Sequence, residues 1–296
     1  MTFQKPILRA LFSVVFLVSL QVLWSYTHLK VPEQQQSTSV SSGQRILLTK
    51  LADSGKAIEC AEGFIPVPDT VLDPTLAWTN GRKIPRVVHV TSRSRCISKE
   101  FAENIDKWRF KDHSLFMYDD DAMDKLLYRY WPEFPELQRV LKCLKHGGAV
   151  KADIWRILIL YEYGGIYTDI DNAPHKFHDT TIKPEDDAFF VVEQLGTPSQ
   201  WFMALSPRHP MMYMTMTSIL SNILKLGDTG DLPVVWTTGP GAIKEGFELF
   251  TRLNSRQKEA GHYIGTEGRS VRLVGRKENQ DEYVWRNMIK NKEDLY

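Results

Sequence analysis

Residues 151–174, KADIWRILILYEYGGIYTDIDNAP, decide the fold class of this chain. The first part is apolar on most faces, which is typical of a largely buried helix, and Gly164–Gly165 ends it. IYTDID then predicts a short strand. Side chains two apart in a strand point the same way, so we expect Asp169 and Asp171 to share one face at the strand's end.

Segments on either side alternate between strand and helix patterns. Further strands are predicted in IPRVVHV (84–90), HSLFMY (113–118) and DAFFVVEQLG (187–196). Further helices are predicted in SKEFAENIDKWR (98–109), DDDAMDKLLYRYW (119–131), PELQRVLKCLKHGG (135–148), PMMYMTMTSILSNILKL (210–226) and TRLNSRQKEA (251–260). Such alternation predicts an α/β fold with a mainly parallel sheet flanked by helices. Ligands bind beyond the carboxyl ends of such strands, where the two aspartates are expected.

The aspartate pair has two interpretations. Asp-x-Asp is often a solvated strand end or a helix cap, and Asp119–Asp121 is interpreted as a capped helix start. Two carboxylates on one face repel each other unless a cation lies between them. Mg²⁺ and Mn²⁺ take oxygen ligands and complete their shells with water and phosphates, so Asp169 and Asp171 predict a metal-bridged diphosphate.

Asp153 and Arg156 lie three residues apart on the preceding helix and share a face. One interpretation is an ion pair that stabilises the helix. The other is ligand contact, with Arg156 at a donor phosphate or sugar hydroxyl and Asp153 accepting from sugar hydroxyls. The spacing leaves both open.

Composition excludes two classes of protein. The 296 residues include 37 Lys and Arg against 36 Asp and Glu, a net charge of +1, and 43% are hydrophobic. A nucleic-acid binder would show a clustered basic excess, and an acidic disordered chain would have too few apolar residues for a core. A globular enzyme or binding protein remains.

The N-terminal segment predicts a membrane anchor. Residues 10–27, ALFSVVFLVSLQVLWSYT, are uncharged and mostly apolar, close to the length that a bilayer-spanning helix needs. Lys5 and Arg9 precede it, which favours a type II orientation with the remainder lumenal. The predicted order is a cytosolic tail at 1–9, the anchor at 10–27, a stem or collar at 28–82 and one catalytic domain at 83–296.

The three cysteines lie in the part of the chain that is predicted to be lumenal, where disulfides can form. Cys60–Cys96 is the favoured bridge because neither residue lies in a predicted core helix, and Cys143 would then be buried and free. Sequence alone does not decide the pairing.

KADIWRILILYEYGGIYTDID resembles the signature of the DxD-containing sugar-binding glycosyltransferases, the family of the Golgi initiating α-1,6-mannosyltransferase. IPRVVHV resembles that family's first strand, and WTTGPGAI resembles its Thr-Gly-Pro loop. The resemblance covers residues 84–243. It implies a GT-A fold, a nucleotide-sugar donor, Mn²⁺ (or Mg²⁺) and retention of the anomeric configuration.

The resemblance also implies roles for residues of the central motif. Asp171 would ligate the metal directly, while Asp169 would contact the nucleotide ribose and the metal shell. Asp153 and Arg156 would hold the transferred sugar, and Tyr167 would line the donor pocket. Catalysis is expected to depend on Asp171, Asp169 and Arg156.

Further residues are assigned by the same resemblance. Gly239 and Pro240 would form the loop beside the junction of donor and acceptor, with Thr238 a weaker candidate for polar contact. Family members often close the site with a C-terminal histidine and tryptophan, for which this chain offers His262 and Trp285.

The predicted function is a membrane-anchored, metal-dependent hexosyltransferase of the Golgi or the ER, most simply one that moves mannose from GDP-mannose to a glycan or glycolipid. A galactosyl- or glucosyltransferase using a UDP-sugar, a diphosphate hydrolase and a catalytically impaired carbohydrate-binding relative are the alternatives. A homo- or hetero-oligomer stays open. Glu193 is the nearest strand-end carboxylate for a nucleophile. Trp236 is interpreted as a core residue, and Trp201 as the better sugar platform.

Overall fold

Seven stretches of the chain are described by a computed structural model, namely residues 46–70, 81–144, 148–193, 196–226, 233–253, 260–275 and 284–286. The predicted anchor at residues 10–27 lies outside them. No helix within these stretches is long and apolar enough to cross a membrane.

Helices and strands alternate along most of the chain. The helices are α1 (Leu48–Ala52), α2 (Lys99–Lys107), α3 (Asp120–Leu127), α4 (Leu137–Cys143), α5 (Gly148–Tyr163), α6 (Pro210–Leu226), α7 (Val234–Thr237) and α8 (Pro240–Thr251). The strands are β1 (Ile65–Pro66), β2 (Val87–Thr91), β3 (Cys96–Ile97), β4 (Ser114–Tyr118), β5 (Gly165–Thr168), β6 (Asn172–Pro174), β7 (Ala188–Val192), β8 (Pro198–Leu205), β9 (Gly261–Ile264), β10 (Ser270–Val274) and β11 (Val284–Arg286).

Within the described residues, the main sheet has seven strands in the order β4-β2-β5-β8-β7-β10-β9. Strands β4, β2, β5, β7 and β10 run in one direction, whereas β8 is antiparallel to both β5 and β7. Strand β9 is antiparallel to β10. The α/β fold with flanking helices is confirmed, and the sheet is mixed, because β8 at its centre and β9 at its edge run opposite to the other five strands.

Side chains on the two faces of the main sheet belong to two separate hydrophobic clusters. One cluster holds Tyr167, Phe190 and Met203 together with apolar residues of α3, α5, α6 and α8. The other holds Ile166 and Phe189 with residues of α2. Neighbouring strand residues point to opposite faces, so the sheet lies between two apolar layers.

Helix α5 matches its sequence pattern. It buries most of its residues, and Gly164 and Gly165 follow it with φ of 65° and 97°. A Cβ on Gly165 would lie 2.6 Å from the Val87 carbonyl oxygen, so this close approach of β5 to β2 requires glycine. The helix is thereby turned directly back into the sheet.

The aspartate pair lies in a turn, not in the predicted strand. Strand β5 ends at Thr168, and the Asn172 amide donates to the Asp169 carbonyl oxygen at 3.1 Å. Asp169 and Asp171 are therefore the first and third residues of a tight turn into β6. The expectation of two carboxylates on one face of a strand is corrected accordingly.

The predicted collar packs against the domain. Leu48, Leu51 and Ala52 of α1 are buried in the first cluster, so the described residues form one unit that includes α1. Cys60 and Cys96 form the favoured disulfide. Cys143 is exposed, which corrects the expectation that it is buried.

Candidate active site

The geometry of the site begins with Arg156, which joins two carboxylates. Its Nη2 lies 3.3 Å from Asp153 Oδ1, and its Nη1 lies 3.3 Å from Asp169 Oδ1. The first contact links residues within α5, and the second links the helix to the end of β5. Arg156 thus combines the helix ion pair with a position beside the aspartate turn.

Tyr167 orients the same carboxylate. Its hydroxyl donates to Asp169 Oδ1 at 2.7 Å, and the Arg156 guanidinium lies 4.8 Å from the centre of its ring. Burial raises the pKa of Tyr167 well above its usual value. The phenol therefore remains a neutral hydrogen-bond donor at physiological pH.

The Thr-Gly-Pro loop is bonded to this group. The Thr238 hydroxyl donates to Asp153 Oδ2 at 2.7 Å, and Thr238 is fully buried. Gly239 precedes α8, and Pro240 is its first residue, which suits proline because its missing N–H would have no partner there. The loop therefore lies where α8 begins, against α5.

Gln200 is a site residue that the sequence reasoning missed. Its side-chain Nε2 donates to the Thr238 carbonyl oxygen at 2.8 Å, and its own carbonyl oxygen accepts from Arg156 at 3.3 Å. The main-chain N–H of Gln200 donates to Glu193 Oε1 at 3.1 Å, so Glu193 is bonded to a residue of the site. A glutamine beside an apolar run was the signal available in the sequence.

Burial perturbs the charged groups. Burial raises the pKa of Asp153 above its ordinary value, although Arg156 and the Thr238 hydroxyl oppose the change. Burial alone would lower the pKa of Arg156, but nearby Tyr167, Asp169 and Asp153 raise it. Charged groups with shifted pKa values, near the carboxyl end of a strand, are typical of a functional site.

Residues 90–188 match the family described as "Glycosyltransferase sugar-binding region containing DXD motif". The match includes the buried helix α5, the double glycine and Asp169 and Asp171, so the sugar-binding region coincides with the group built around Arg156.

Three relatives are similar over part of their length. Inositol phosphoceramide mannosyltransferase 1 of Schizosaccharomyces pombe is 26% identical over 175 residues, 56% of this chain and 51% of that one. Mannosyl phosphorylinositol ceramide synthase CSH1 of Saccharomyces cerevisiae is 26% identical over 165 residues, 52% and 42% of the two chains. Initiation-specific alpha-1,6-mannosyltransferase of Schizosaccharomyces pombe is 31% identical over 116 residues, 31% and 29%. The chain thus spans about half or less of these relatives.

One solved structure also aligns with part of this chain. The structure named PaToxG Glycosyltransferase aligns with a TM-score of 0.42 and 19% identity, covering 56% of this chain and 69% of that one.

The carboxylates of the sugar-binding region suit a hard divalent cation. Three carboxylates, those of Asp153, Asp169 and Asp171, act electrostatically on the Arg156 guanidinium. Among the residues that the structure describes, no three His, Cys, Asp or Glu side chains are grouped so as to hold a metal. Mg²⁺ commonly uses one or two protein carboxylates with water and substrate phosphates. The donor set therefore fits a cation shared with a diphosphate.

The two C-terminal residues that were candidates for closing the site, His262 and Trp285, lie in different places. His262 is exposed on β9, at the far edge of the sheet and four positions from β5. Trp285 is paired in β11 with Ala173 of β6, next to the aspartate turn. Of the two, only Trp285 is brought by its backbone to the sugar-binding region.

The tryptophan interpretations also change. Trp236 is 59% exposed, so its assignment to the core was wrong. Trp201 is partly buried against the second cluster, and its carbonyl oxygen accepts from the Asp169 amide at 2.9 Å. Trp201 thus contacts the site through its main chain.

Proposed function

We propose that this chain transfers a hexose, mannose from GDP-mannose, to a glycan or glycolipid acceptor in a reaction that requires Mn²⁺ or Mg²⁺. One observation carries the proposal: Arg156 joins Asp153 to Asp169 beside Asp171, inside a DXD sugar-binding region. Two relatives are named for mannosylating inositol phosphoceramide, so we take that glycolipid as the first acceptor to test.

Each carboxylate has a separate task in this proposal. Asp171 and Asp169 would hold the cation and the nucleotide end of the donor. Asp153, whose second oxygen is bonded to Thr238, would accept from hydroxyls of the transferred sugar. Because Arg156 contacts both Asp153 and Asp169, it would keep the sugar and the diphosphate in a set relative orientation.

The negative charge that develops on the leaving diphosphate must also be stabilised. A bound divalent cation supplies Lewis-acid stabilisation of the negative charge that develops on the departing diphosphate. The Arg156 guanidinium adds a fixed positive charge in a partly buried place, where its effect is screened less than in water. Arg156 therefore favours departure of the diphosphate without donating a proton.

Retention is the proposed stereochemical outcome. Glu193 is bonded to the Gln200 main chain, so we do not assign it as a nucleophile. The leaving phosphate would accept the proton of the acceptor hydroxyl as that hydroxyl attacks from the same face. A product of inverted anomeric configuration would contradict this route.

The proposed location is the Golgi or ER membrane, with the catalytic domain in the lumen. The Cys60–Cys96 disulfide supports an oxidising compartment. Residues 10–27 would be the anchor, holding the domain near glycolipid acceptors. Protease protection of the domain in sealed microsomes is the test, and digestion without detergent would contradict it.

A donor screen tests the activity itself. The full-length chain, purified in detergent with Mn²⁺ and inositol phosphoceramide, is offered GDP-mannose, UDP-galactose or UDP-glucose. We expect a mannosylated lipid, detected by mass spectrometry, from GDP-mannose alone. Transfer from a UDP-sugar would show that the donor is not GDP-mannose, whereas GMP and mannose 1-phosphate formed with no glycolipid product would identify a diphosphate hydrolase.

A further inference from the structure

The turn that carries Asp169 and Asp171 is held from the face of the sheet opposite Arg156. Trp108, at the end of α2, donates its indole Nε1–H to the Asn172 carbonyl oxygen at 3.0 Å. Trp108 belongs to the second hydrophobic cluster, whereas Tyr167 belongs to the first. The residue after Asp171 is thus bonded to the apolar layer on the other face of the sheet from Tyr167.

The Asn172 side chain makes a second attachment. Its Nδ2 donates to the Trp201 carbonyl oxygen at 2.8 Å and to Thr168 Oγ1 at 3.3 Å. The same Trp201 oxygen accepts from the Asp169 amide at 2.9 Å. Residues on both sides of Asp171 are therefore bonded to one carbonyl oxygen of the central strand β8.

Such attachment matters because the two carboxylates have the same charge. Without a cation, their repulsion favours a turn in which they separate, and every such rearrangement must be reversed before an ion is bound. Bonds that keep the turn closed remove that cost in advance. Loss of comparable outer contacts typically weakens metal binding about tenfold or more.

We propose that Trp108 and Asn172 are positioning residues that hold the aspartate turn in the shape that binds the divalent cation. The inference rests on the proposed metal-dependent function. It assigns neither residue to the metal or the substrate, since both act through the backbone of the turn. Trp108 is 1% exposed and stacks on Phe202 with ring centres 5.8 Å apart, so its purely structural contribution must be separated in the test.

Paired variants make that separation. Trp108→Phe removes the indole N–H and keeps an aromatic ring. Its control is Trp131→Phe, since Trp131 is 2% exposed and donates its own Nε1–H to the Leu126 carbonyl oxygen at 3.0 Å. Asn172→Ala removes the second attachment. Its control is Asn104→Ala, a buried asparagine of α2.

The measurement is the affinity of each full-length variant for Mn²⁺ alone, from the electron paramagnetic resonance signal of the free ion, with thermal unfolding recorded alongside. We expect Trp108→Phe and Asn172→Ala to weaken Mn²⁺ binding about tenfold, while the controls stay within about twofold of the wild type. Equal affinities in each pair would overturn the proposal and leave the proposed function intact. Absence of Mn²⁺ binding by the wild type, repeated with GDP present to supply the diphosphate oxygens, would refute the metal-dependent function and this inference together.

Discussion

Thr238 Oγ1 lies 2.7 Å from Asp153 Oδ2, and this hydrogen bond joins the Thr-Gly-Pro loop to helix α5. The bond crosses 85 residues of sequence and satisfies one oxygen of a buried carboxylate. It leaves the other oxygen facing Arg156. The loop is thus part of the apparatus that orients Asp153.

Removal of this hydroxyl should affect turnover more than stability. Thr238→Val keeps the shape of the side chain, and we expect kcat/KM for GDP-mannose to fall about tenfold, because a misplaced Asp153 no longer aligns the sugar. Thr237→Val is the control, since the Thr237 hydroxyl is also buried and bonded, to the Pro233 carbonyl oxygen at 3.1 Å. Each change should cost about 1 kcal/mol of unfolding free energy. Equal kcat/KM values would refute the role of Thr238.

Arg156→Lys should reduce transfer although the charge is conserved. A lysine ammonium lacks the planar fork that reaches Asp153 and Asp169 together. We expect kcat/KM to drop by about 100-fold, or about 2.7 kcal/mol of transition-state stabilisation. The comparison is Arg139→Lys, an exposed arginine paired with Glu136, which should retain wild-type kinetics. Full activity of Arg156→Lys would mean that the bridge is dispensable.

Acid should destabilise the domain through His209. Burial, and next the charge of Arg269, lower the pKa of His209 from 6.5 to about 3. The unfolded chain therefore binds a proton below about pH 6.5 while the folded chain does not, so the contribution to stability is lost as pH falls from about 6.5 towards 3.

The experiment for His209 compares urea unfolding at pH 6.5 and pH 5.0. We expect the wild type to lose about 2 kcal/mol from this residue over that interval. His209→Asn keeps an acceptor for the Met211 amide but cannot be protonated. The variant should show a shallower dependence on pH by that amount, and an unchanged dependence would rule out His209 as the source.

Gly165 should resist substitution because of its backbone. Gly165→Ala would force an alanine to φ of 97° and bring Cβ to 2.6 Å from the Val87 carbonyl oxygen. We expect a loss of about 3 kcal/mol or more in a thermal or urea melt. Gly148→Ala, which meets no atom within 4 Å at the start of α5, should leave stability unchanged or slightly higher. Similar melting of the two variants would contradict the close approach of β5 to β2.

Local patterns predicted the central part of the fold. The apolar run of α5, the double glycine after it and the cap of α3 are decided by neighbouring residues. The Asp119 side chain does accept from the Ala122 amide at 2.9 Å, as its position predicted. These features depend on hydrogen bonds between residues close in sequence and on the spacing of apolar residues, and both can be inferred from the sequence alone.

Features that depend on distant pairing were missed. Strand β8 lies between β7, which precedes it directly in the chain, and β5, whose Thr168 pairs with Phe202 more than thirty residues later in the sequence. Without β8, neither Gln200 nor the Trp201 carbonyl oxygen could be placed at the site. The turn at Asp169 was mistaken for strand because its geometry depends on that same oxygen.

The most direct test of the account is Mn²⁺-dependent mannosyl transfer by Asp171→Asn. The substitution keeps the size of the side chain and removes one of the two carboxylates of the turn. Asp106→Asn, at an exposed aspartate of α2, is the matched control. We predict transfer from GDP-mannose by the wild type and the control, its loss on chelation of the metal, and a fall of about 100-fold for Asp171→Asn. Transfer by Asp171→Asn at the rate of the control would contradict the account.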